Sequence, residues 1–351
     1  MATLTASDIQ DLVAGTLREL GRMKFQQIAT GLQEYEVMSR WFKKDKVSFD
    51  NGYGIQRSLM TRLPDAFQHV GLYETDTVNV ENLIKQINIP WRHAQTAWAF
   101  ERREVLMNRG ESLIFNVIEP RRIGALTKMA EGLEDAAWSA PASTDKKLPY
   151  GLPYWIVKNA TTGFTGDYPS GHTTLAGIDL TTAPTFKNWC DQYVSVTKAD
   201  LVSKLRNAYR KIRFKSPVSG KDYATSLADK YRLYVNDETV QSLESLGEAQ
   251  NENLGRDLAS VHAGDVKNME DGALLFRGHP IIWVPKLDSD TSNPVYMIDH
   301  SSFMPVVLKG DFMRESEVMK APNQHNVFQV FVDLSYNYLC LDRRRNAVIY
   351  I

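Results

Sequence analysis

Cysteine is nearly absent: the 351 residues hold two, Cys190 and Cys340, with no Cys-x-x-Cys pair. This excludes a disulfide framework and a thiolate zinc site, and it predicts synthesis in a reducing, intracellular compartment. No apolar run approaches the length of a membrane span, so a membrane is not expected among the partners. The opening "MATLTASDIQDLVAG" lacks a basic region followed by an apolar core, so no secretory signal is expected. An excess of charge of either sign is also missing. Lys+Arg total 41 and Asp+Glu total 42, a formal net charge of −1. A protein whose main task is to coat nucleic acid needs a positive surface, so that class is disfavoured. There is no internal repeat and no low-complexity tract. The seven histidines stand singly, without HxxxH or HxH spacing, so neither a metal nor a cofactor is expected.

What is present reads as a mixed α+β globular chain, with 43% hydrophobic and 24% charged residues. Ile9, Leu12, Val13, Leu17 and Leu20 follow helical spacing behind a cap at Thr5 or Ser7. The period then changes. In "KVSFDNGYGIQ", Val47 and Phe49 alternate, Asn51-Gly52 supplies a tight turn, and Tyr53 and Ile55 alternate again, which predicts a hairpin. "INIPWRHAQTAWAF", Ile87 to Phe100, is a second extended stretch with Ile87, Ile89 and Trp91 on one face, and Pro90 favours an edge strand. Residues 56–86 between them are mixed and polar, with little to make a core. Residues 46–103 therefore read as a long two-stranded excursion that cannot bury its own faces, and another subunit is the economical cover. Residues 111–138 turn helical, with Leu126, Met129, Leu133 and Ala137 on one stripe. Pro120 is expected to bend that helix or mark where its regular part begins. The proline-rich "SAPASTDKKLPYGLP" reads as a domain boundary.

Further on, "KADLVSKLRNAYRKI" predicts a helix with Leu201, Leu205, Ala208 and Ile212 inward. "DETVQSLESLGEAQNENLG" predicts another, opened by Asn236 or Asp237 and closed near Gly255. "ALLFRGHPIIWVPKL" predicts two short strands around Gly278 and Pro280. "FQVFVDLSYNYLCL" has strict period two: Phe328, Val330, Val332, Leu334, Tyr336, Tyr338 and Cys340 share a face, opposite Gln329, Asp333, Ser335 and Asn337. Cys340 thus reads as a small core residue. Asp342 to Asn346, with three arginines, is expected to form a solvated hairpin turn from which "AVIYI" returns as a strand.

Chemical motifs are sparse. Pro169-Ser170-Gly171-His172 matches the middle signature of the lipid and acid phosphatase superfamily. In such enzymes a later histidine attacks phosphorus, an aspartate orients it, and arginines hold the equatorial oxygens. Here Gly255-Arg256, His262 and Asp265 approximate that last motif without its serine and one residue short. No Arg-Pro exists for the first motif, so half the phosphate clamp is missing and a polar loop is the better reading. Ser219-Gly220-Lys221 lacks the earlier glycine of a phosphate loop. Asn159-Ala160-Thr161 is a glycan acceptor pattern, but no secretion signal makes it relevant.

The order of elements is more informative: an N-terminal arm, a long uncovered hairpin, a long helix, a mixed α/β insert, and a return through long strands. That order resembles the major capsid proteins of tailed bacteriophages, the Hong Kong 97 phage (HK97-like) fold. So do "LGRMKFQQIATGLQEYEVMSRWFKKDKVSF", "IPWRHAQTAWAFERREVLMNRG", "PYGLPYWIVKNATTGFTGDYPSG", "NPVYMIDHSSFMPVVLKGDFMRE" and "YNYLCLDRRRNAVIYI", which together span nearly the whole chain. The resemblance implies an α+β fold with residues 1–45 as N-arm, 46–104 as an extended loop over the adjacent subunit, 105–145 and 309–351 as a peripheral domain, and 146–308 as an axial domain. It implies a structural subunit and no enzyme, assembling with itself as hexamers and pentamers into an icosahedral shell around phage double-stranded DNA. Implied partners are a separate scaffolding protein, a portal protein and a cement or decoration protein, with assembly in the bacterial host cytoplasm and residence in the virion capsid. Phe49, Tyr53, Ile55, Ile87, Ile89 and Trp91 are the candidate inter-subunit contacts. Lys43, Lys44 and Lys46 lie near the loop, but nothing specific marks a Lys–Asn cross-link, so non-covalent locking is expected. An encapsulin-type compartment shell is the alternative within the fold, and the phosphatase is the alternative from another class.

Overall fold

The computed structural model describes residues 31–43, 47–64, 67, 69–72, 82–107, 111–214, 230–246, 266–268 and 274–351, with side chains described for all of these except 105–107, 111–118 and 266–268. The helix expected over Ile9–Leu20, Ser219-Gly220-Lys221, the Gly255–Asp265 motif, Lys44 and Lys46 lie outside the described residues.

Strands β1 (Ser48–Asp50), β2 (Gly54–Met60), β3 (Ile84–Pro90) and β4 (Arg92–Glu101) precede helices α1 (Arg102–Met107) and α2 (Glu111–Ala137). A short α3 (Leu152–Trp155), β5 (Gly163–Gly166), β6 (Asn188–Gln192), α4 (Leu201–Ile212), β7 (Tyr231–Val235) and α5 (237–246) follow. Then come β8 (Val266–Asn268), β9 (Leu274–Phe276), β10 (His279–Trp283), β11 (Val295–Asp299), β12 (Phe303–Leu308), β13 (Arg314–Glu315), β14 (Met319–Lys320), β15 (Val327–Cys340) and β16 (Ala347–Tyr350).

Two sheets organise these elements. The fourteen-residue β15 is the axis of the first. Along one edge it pairs with β4 from Val327↔Glu101 to Tyr336↔Arg92. Along the other it pairs with β14, β13 and β12, and β1 adds in parallel outside β12. The second sheet has the order β5-β6-β16-β11-β7-β10-β9-β8. A separate two-stranded ribbon consists of β2 and β3. β12 precedes the expected boundary at 308/309 yet belongs with β15, whereas β16 follows it yet belongs to the second sheet.

The helical stripes sit as their spacing predicts. In α2, Met129, Leu133 and Ala137 are buried and Leu126 packs against the same core. α2 lies beside β4, where the Thr96 hydroxyl donates to the Ala125 carbonyl. The helix runs continuously through Pro120. In α4, Leu201, Leu205, Ala208 and Ile212 are fully buried. Asn236 caps α5 by accepting the Thr239 amide at 3.3 Å.

Several local patterns give way in the tertiary structure. Asn51-Gly52 turns the chain, with Gly52 at φ +107°, but it closes no hairpin. β1 leaves to pair with β12, and β2 takes β3 as its partner thirty residues on. The stretch Ile87–Phe100 is two strands. Pro90, which has no N–H to donate, ends β3, and β4 then joins the long sheet. The polar face of β15 is covered in its second half. Asn337 is fully buried, accepting the Tyr150 and Tyr338 amides and donating to the Pro90 carbonyl. Finally, β15 and β16 form no hairpin. β16 crosses to the second sheet, where β6 and β11 flank it and Ala347, Val348 and Ile349 are fully buried. The arginine turn goes inside with it: Arg343 and Arg345 are buried, contrary to the solvated turn expected.

Candidate assembly surface

The ribbon has two unlike faces. Its register runs from Gly54↔Pro90 to Met60↔Ile84. Alternation puts Ile55, Arg57, Leu59, Lys85, Ile87 and Ile89 on one face and Gln56, Ser58, Met60, Ile84, Gln86 and Asn88 on the other. Ile55 and Ile89 stand opposite each other, a cross-strand pair of β-branched side chains.

The inner face is not bare. Ile55, Ile87 and Ile89 are fully buried in the protein's own core, which also contains Leu175, Ala176, Ile178, Leu180 and Ala183. This corrects the expectation that these three isoleucines await a neighbour. A loop over residues 175–186 forms a cradle for them. The Asn88 amide donates to the Ala176 carbonyl at 2.9 Å. The Thr185 hydroxyl donates to the Thr61 carbonyl at 2.6 Å, and Arg62 Nε donates to the Thr182 carbonyl at 3.0 Å. No local periodicity in the sequence announces the cradle, because its contacts to the ribbon span 88 to 124 residues.

The cradle is held from behind by polar groups. The Tyr168 hydroxyl donates to Asp179 at 2.8 Å and accepts the Leu180 amide at 2.7 Å. The Thr181 amide and hydroxyl, together with Tyr168, hold the Asp179 carboxyl below its ordinary range. Arg343, fully buried, donates from Nε to the Trp155 carbonyl at 2.6 Å. Its terminal nitrogens donate to the Phe186 carbonyl at 3.0 Å, the Asp167 carbonyl at 3.2 Å and Asn188 Oδ1 at 2.9 Å. Burial pulls the Arg343 pKa down to about 10, so the guanidinium stays charged at neutral pH. Asn188 is itself packed so closely on Gly166 that a Cβ there would lie 1.9 Å from Asn188 Oδ1.

The near end of the ribbon is tied to the long sheet. The Trp91 indole donates to the Gly52 carbonyl at 2.8 Å, and Arg57 pairs with Asp50 at 2.8 Å. Trp91 is half-buried, while Phe49 and Tyr53 are exposed. Beyond Met60 the character changes. Leu63 is 80%, Phe67 84% and Leu72 93% exposed, with Met60, Val70 and Ile84 also open. Eight of the thirteen exposed large hydrophobics among the described residues lie between Phe49 and Ile84, which concentrates the bare apolar surface on this one excursion. Among the described residues, β2 pairs with β3 alone, so its outer edge presents unpaired backbone groups. Exposed apolar side chains beside an open strand edge suit docking by strand addition. The clue in the sequence was the isolated Leu63, Phe67, Val70 and Leu72 within a polar stretch, which lack the period that would have marked them as a core.

The motif residues have a structural setting. His172 Nε2 lies 3.0 Å from the Pro141 carbonyl, and its ring stands edge-on to Tyr154 at 5.2 Å. The residues that would complete a phosphatase site, Arg256, His262 and Asp265, lie outside the described residues. Among the described residues no cluster of metal-ligating side chains occurs, and no helix is long and apolar enough to cross a membrane.

No family profile and no curated protein matches the sequence. The fold, in contrast, has many structural neighbours. The subunit of the cyanophage A-1(L) capsid aligns with a TM-score of 0.63 at 11% identity, covering 95% of this chain and 97% of that one. The capsid of Myoviridae phage XM1 aligns with a TM-score of 0.54 at 10% identity, covering 95% and 97%. The holo-SrpI encapsulin complex from Synechococcus elongatus PCC 7942 aligns with a TM-score of 0.51 at 8% identity, covering 96% and 94%. The chain therefore has the HK97-like α+β fold of these shell subunits over nearly its whole length.

Proposed function

We propose that this chain is the major capsid protein of a tailed bacteriophage, assembling as hexamers and pentamers into an icosahedral shell around double-stranded DNA. The observation that carries the reading is the end-to-end match to a cyanophage capsid subunit, with at least 95% of each chain covered. A partial match would be compatible with a borrowed domain; a full-length match favours the same kind of building block.

Physical features of the ribbon support the same reading. A closed shell is built from heterologous contacts that repeat around several axes. A two-stranded arm carrying Leu63, Phe67 and Leu72 can reach a neighbour at slightly different angles, and an open strand edge adds backbone hydrogen bonds. Each contact can be modest, because a subunit engaging several neighbours gains from high effective concentration. Phe49 and Tyr53 extend the candidate contact surface toward the body. In this reading residues 1–45 form the arm and 46–104 the extended loop, though β4 within that range belongs with the peripheral sheet. The peripheral domain comprises 105–145 and 309–351, with β12 added and β16 given to the axial domain at 146–308. A separate scaffolding protein, a portal and a cement protein would be the partners. The near-neutral charge suits containing DNA without gripping it. No catalytic role is assigned, and the alignment with an encapsulin keeps a cargo-enclosing compartment as the second reading.

The test is assembly of the purified full-length chain, alone and with a candidate scaffolding protein, followed by negative-stain microscopy. Closed particles are expected, and Leu63→Asp with Leu72→Asp should abolish them while leaving a folded subunit. A chain that stays monomeric under all conditions would refute the proposal. Particles that recruit a protein cargo and no DNA would favour the compartment.

A further inference from the structure

A second unusual site lies where residues 31–43 meet the body of the protein. Two carboxyl groups are buried there, Glu36 and Glu134. Glu36 pairs with Arg232 at 2.8 Å and accepts the Tyr234 hydroxyl at 3.4 Å. Glu134 is 1% exposed and has no cationic partner among the described residues. Its Oε2 accepts the Val37 amide at 2.9 Å, and its Oε1 accepts the Trp138 indole N–H at 3.0 Å. Both donors are neutral. Around them, Asp135 adds negative potential, Arg40 acts on Glu36, and His300 is bonded to Tyr234 at 2.6 Å; at the start of the segment Glu131, paired with Lys128 at 3.0 Å, accepts the Gly31 amide at 2.5 Å and the Tyr35 hydroxyl at 3.3 Å. The site therefore encloses two carboxyl groups, and the half-buried Arg232 guanidinium beside them is already paired with Glu36.

A carboxylate sealed from water with neutral donors alone is costly, whereas the neutral acid is tolerated. We propose that Glu134 is a proton-operated latch for residues 31–43: the segment stays seated while this carboxyl is neutral, and loss of the proton loosens it. The proposal is independent of the assembly reading.

The sign follows from linkage. Burial raises the Glu134 pKa from 4.5 to about 7; the hydrogen bonds from Trp138 and Val37 oppose the rise, while Glu36 and Asp135 add to it. Glu36 is raised as well, by burial against the opposing pull of Arg232. Unseating opens Glu134 to water, so the seated form holds its proton more tightly. The Glu134 contribution to seating is therefore largest below the unseated value of 4.5, weakens as pH rises toward 7, and levels off above it, whereas Glu131, held below its ordinary range by the Gly31 amide, supports seating above that range. A gap of this size corresponds to a change on the order of a hundredfold in the seating equilibrium. The movement has a visible reporter. Trp41 lies among the rings of Trp138, Tyr234, His300, Phe303 and Tyr338, and its indole donates to the Tyr234 hydroxyl at 3.0 Å.

Hydrogen exchange on the full-length protein, corrected for intrinsic pH dependence, tests the latch. Protection over residues 31–43 should fall roughly a hundredfold between about pH 5 and pH 7.5 and then level, while α4 does not follow. Glu134→Gln keeps the shape and one acceptor oxygen but removes this titration, so the hundredfold fall should be lost and only the Glu36 contribution remain. A wild-type profile without the fall, or a Glu134→Gln profile that retains it, overturns the proposal. Should Glu134→Gln fail to fold, Glu36→Gln serves. It removes a neighbouring negative charge and releases Arg232, so the fall should move to lower pH, and an unmoved midpoint overturns the proposal equally.

Discussion

Three consecutive arginines, Arg343 to Arg345, should respond to the same substitution in different ways. Replacing Arg343 by methionine keeps much of the stem volume and removes every donor. Four acceptors then lose a partner: the carbonyls of Trp155, Phe186 and Asp167, and Asn188 Oδ1. An unsatisfied buried acceptor costs about 1–3 kcal/mol. Two effects reduce the total. Asn188 Oδ1 retains the Val157 amide at 3.2 Å, and the variant no longer carries the several kcal/mol of burying a guanidinium. The net loss should be about 3–5 kcal/mol. Arg344→Met is the internal control. Arg344 is partly exposed, stacks on Phe214 at 4.4 Å and approaches Asp342 at 3.4 Å, so its loss should cost about 0.5–1 kcal/mol. Denaturant unfolding followed by tryptophan fluorescence reads both differences as midpoint shifts. Equal losses for the two variants, or a stability for Arg343→Met within about 1 kcal/mol of wild type, would refute the claim that position 343 organises the loop between Trp155 and Asn188.

Arg345 pairs with Asp299 at 2.7 Å in a site where both side chains are buried, so Asp299→Ala should cost about 3–5 kcal/mol by removing the carboxylate from a buried ion pair, again read by denaturation. Ile89→Ala removes the partner of Ile55 under the ribbon and should destabilise its seat by about 2–4 kcal/mol, seen as faster proteolysis between Met60 and Ile84 with little change in α4. Cys190 and Cys340 are both buried, and burial pushes each thiol above its ordinary pKa, so neither should react with a thiol reagent in the native protein and both should react after unfolding. Stoichiometric labelling of the native chain would contradict the buried placement.

Local pattern carried the individual elements well where one face meets one core. The i, i+4, i+7 spacing in α4 and the alternation from Val330 to Leu334 in β15 were enough to say which side chains turn inward. Pattern failed where a segment is covered on both sides or from afar. Ser335 and Asn337 look like an outward polar face until Asp311, Tyr150 and Pro90 supply partners for them. The arginine turn looks solvated until the carbonyls of Trp155, Phe186 and Asp167 converge on Arg343. The inter-subunit candidates divide in the same way. Phe49 and Tyr53 are exposed, whereas Ile55, Ile87 and Ile89 are claimed by a loop whose sequence has no periodicity.

The sequence by itself determined that this is a mixed α+β chain with a long, early two-stranded excursion, because helical and strand periods are properties of consecutive residues. Which strands pair, which face of the ribbon is covered and which arginines are interior were decided only by the tertiary structure. Those outcomes depend on hydrogen-bond and packing partners distant along the chain, and a buried polar group is tolerated only where such partners arrive.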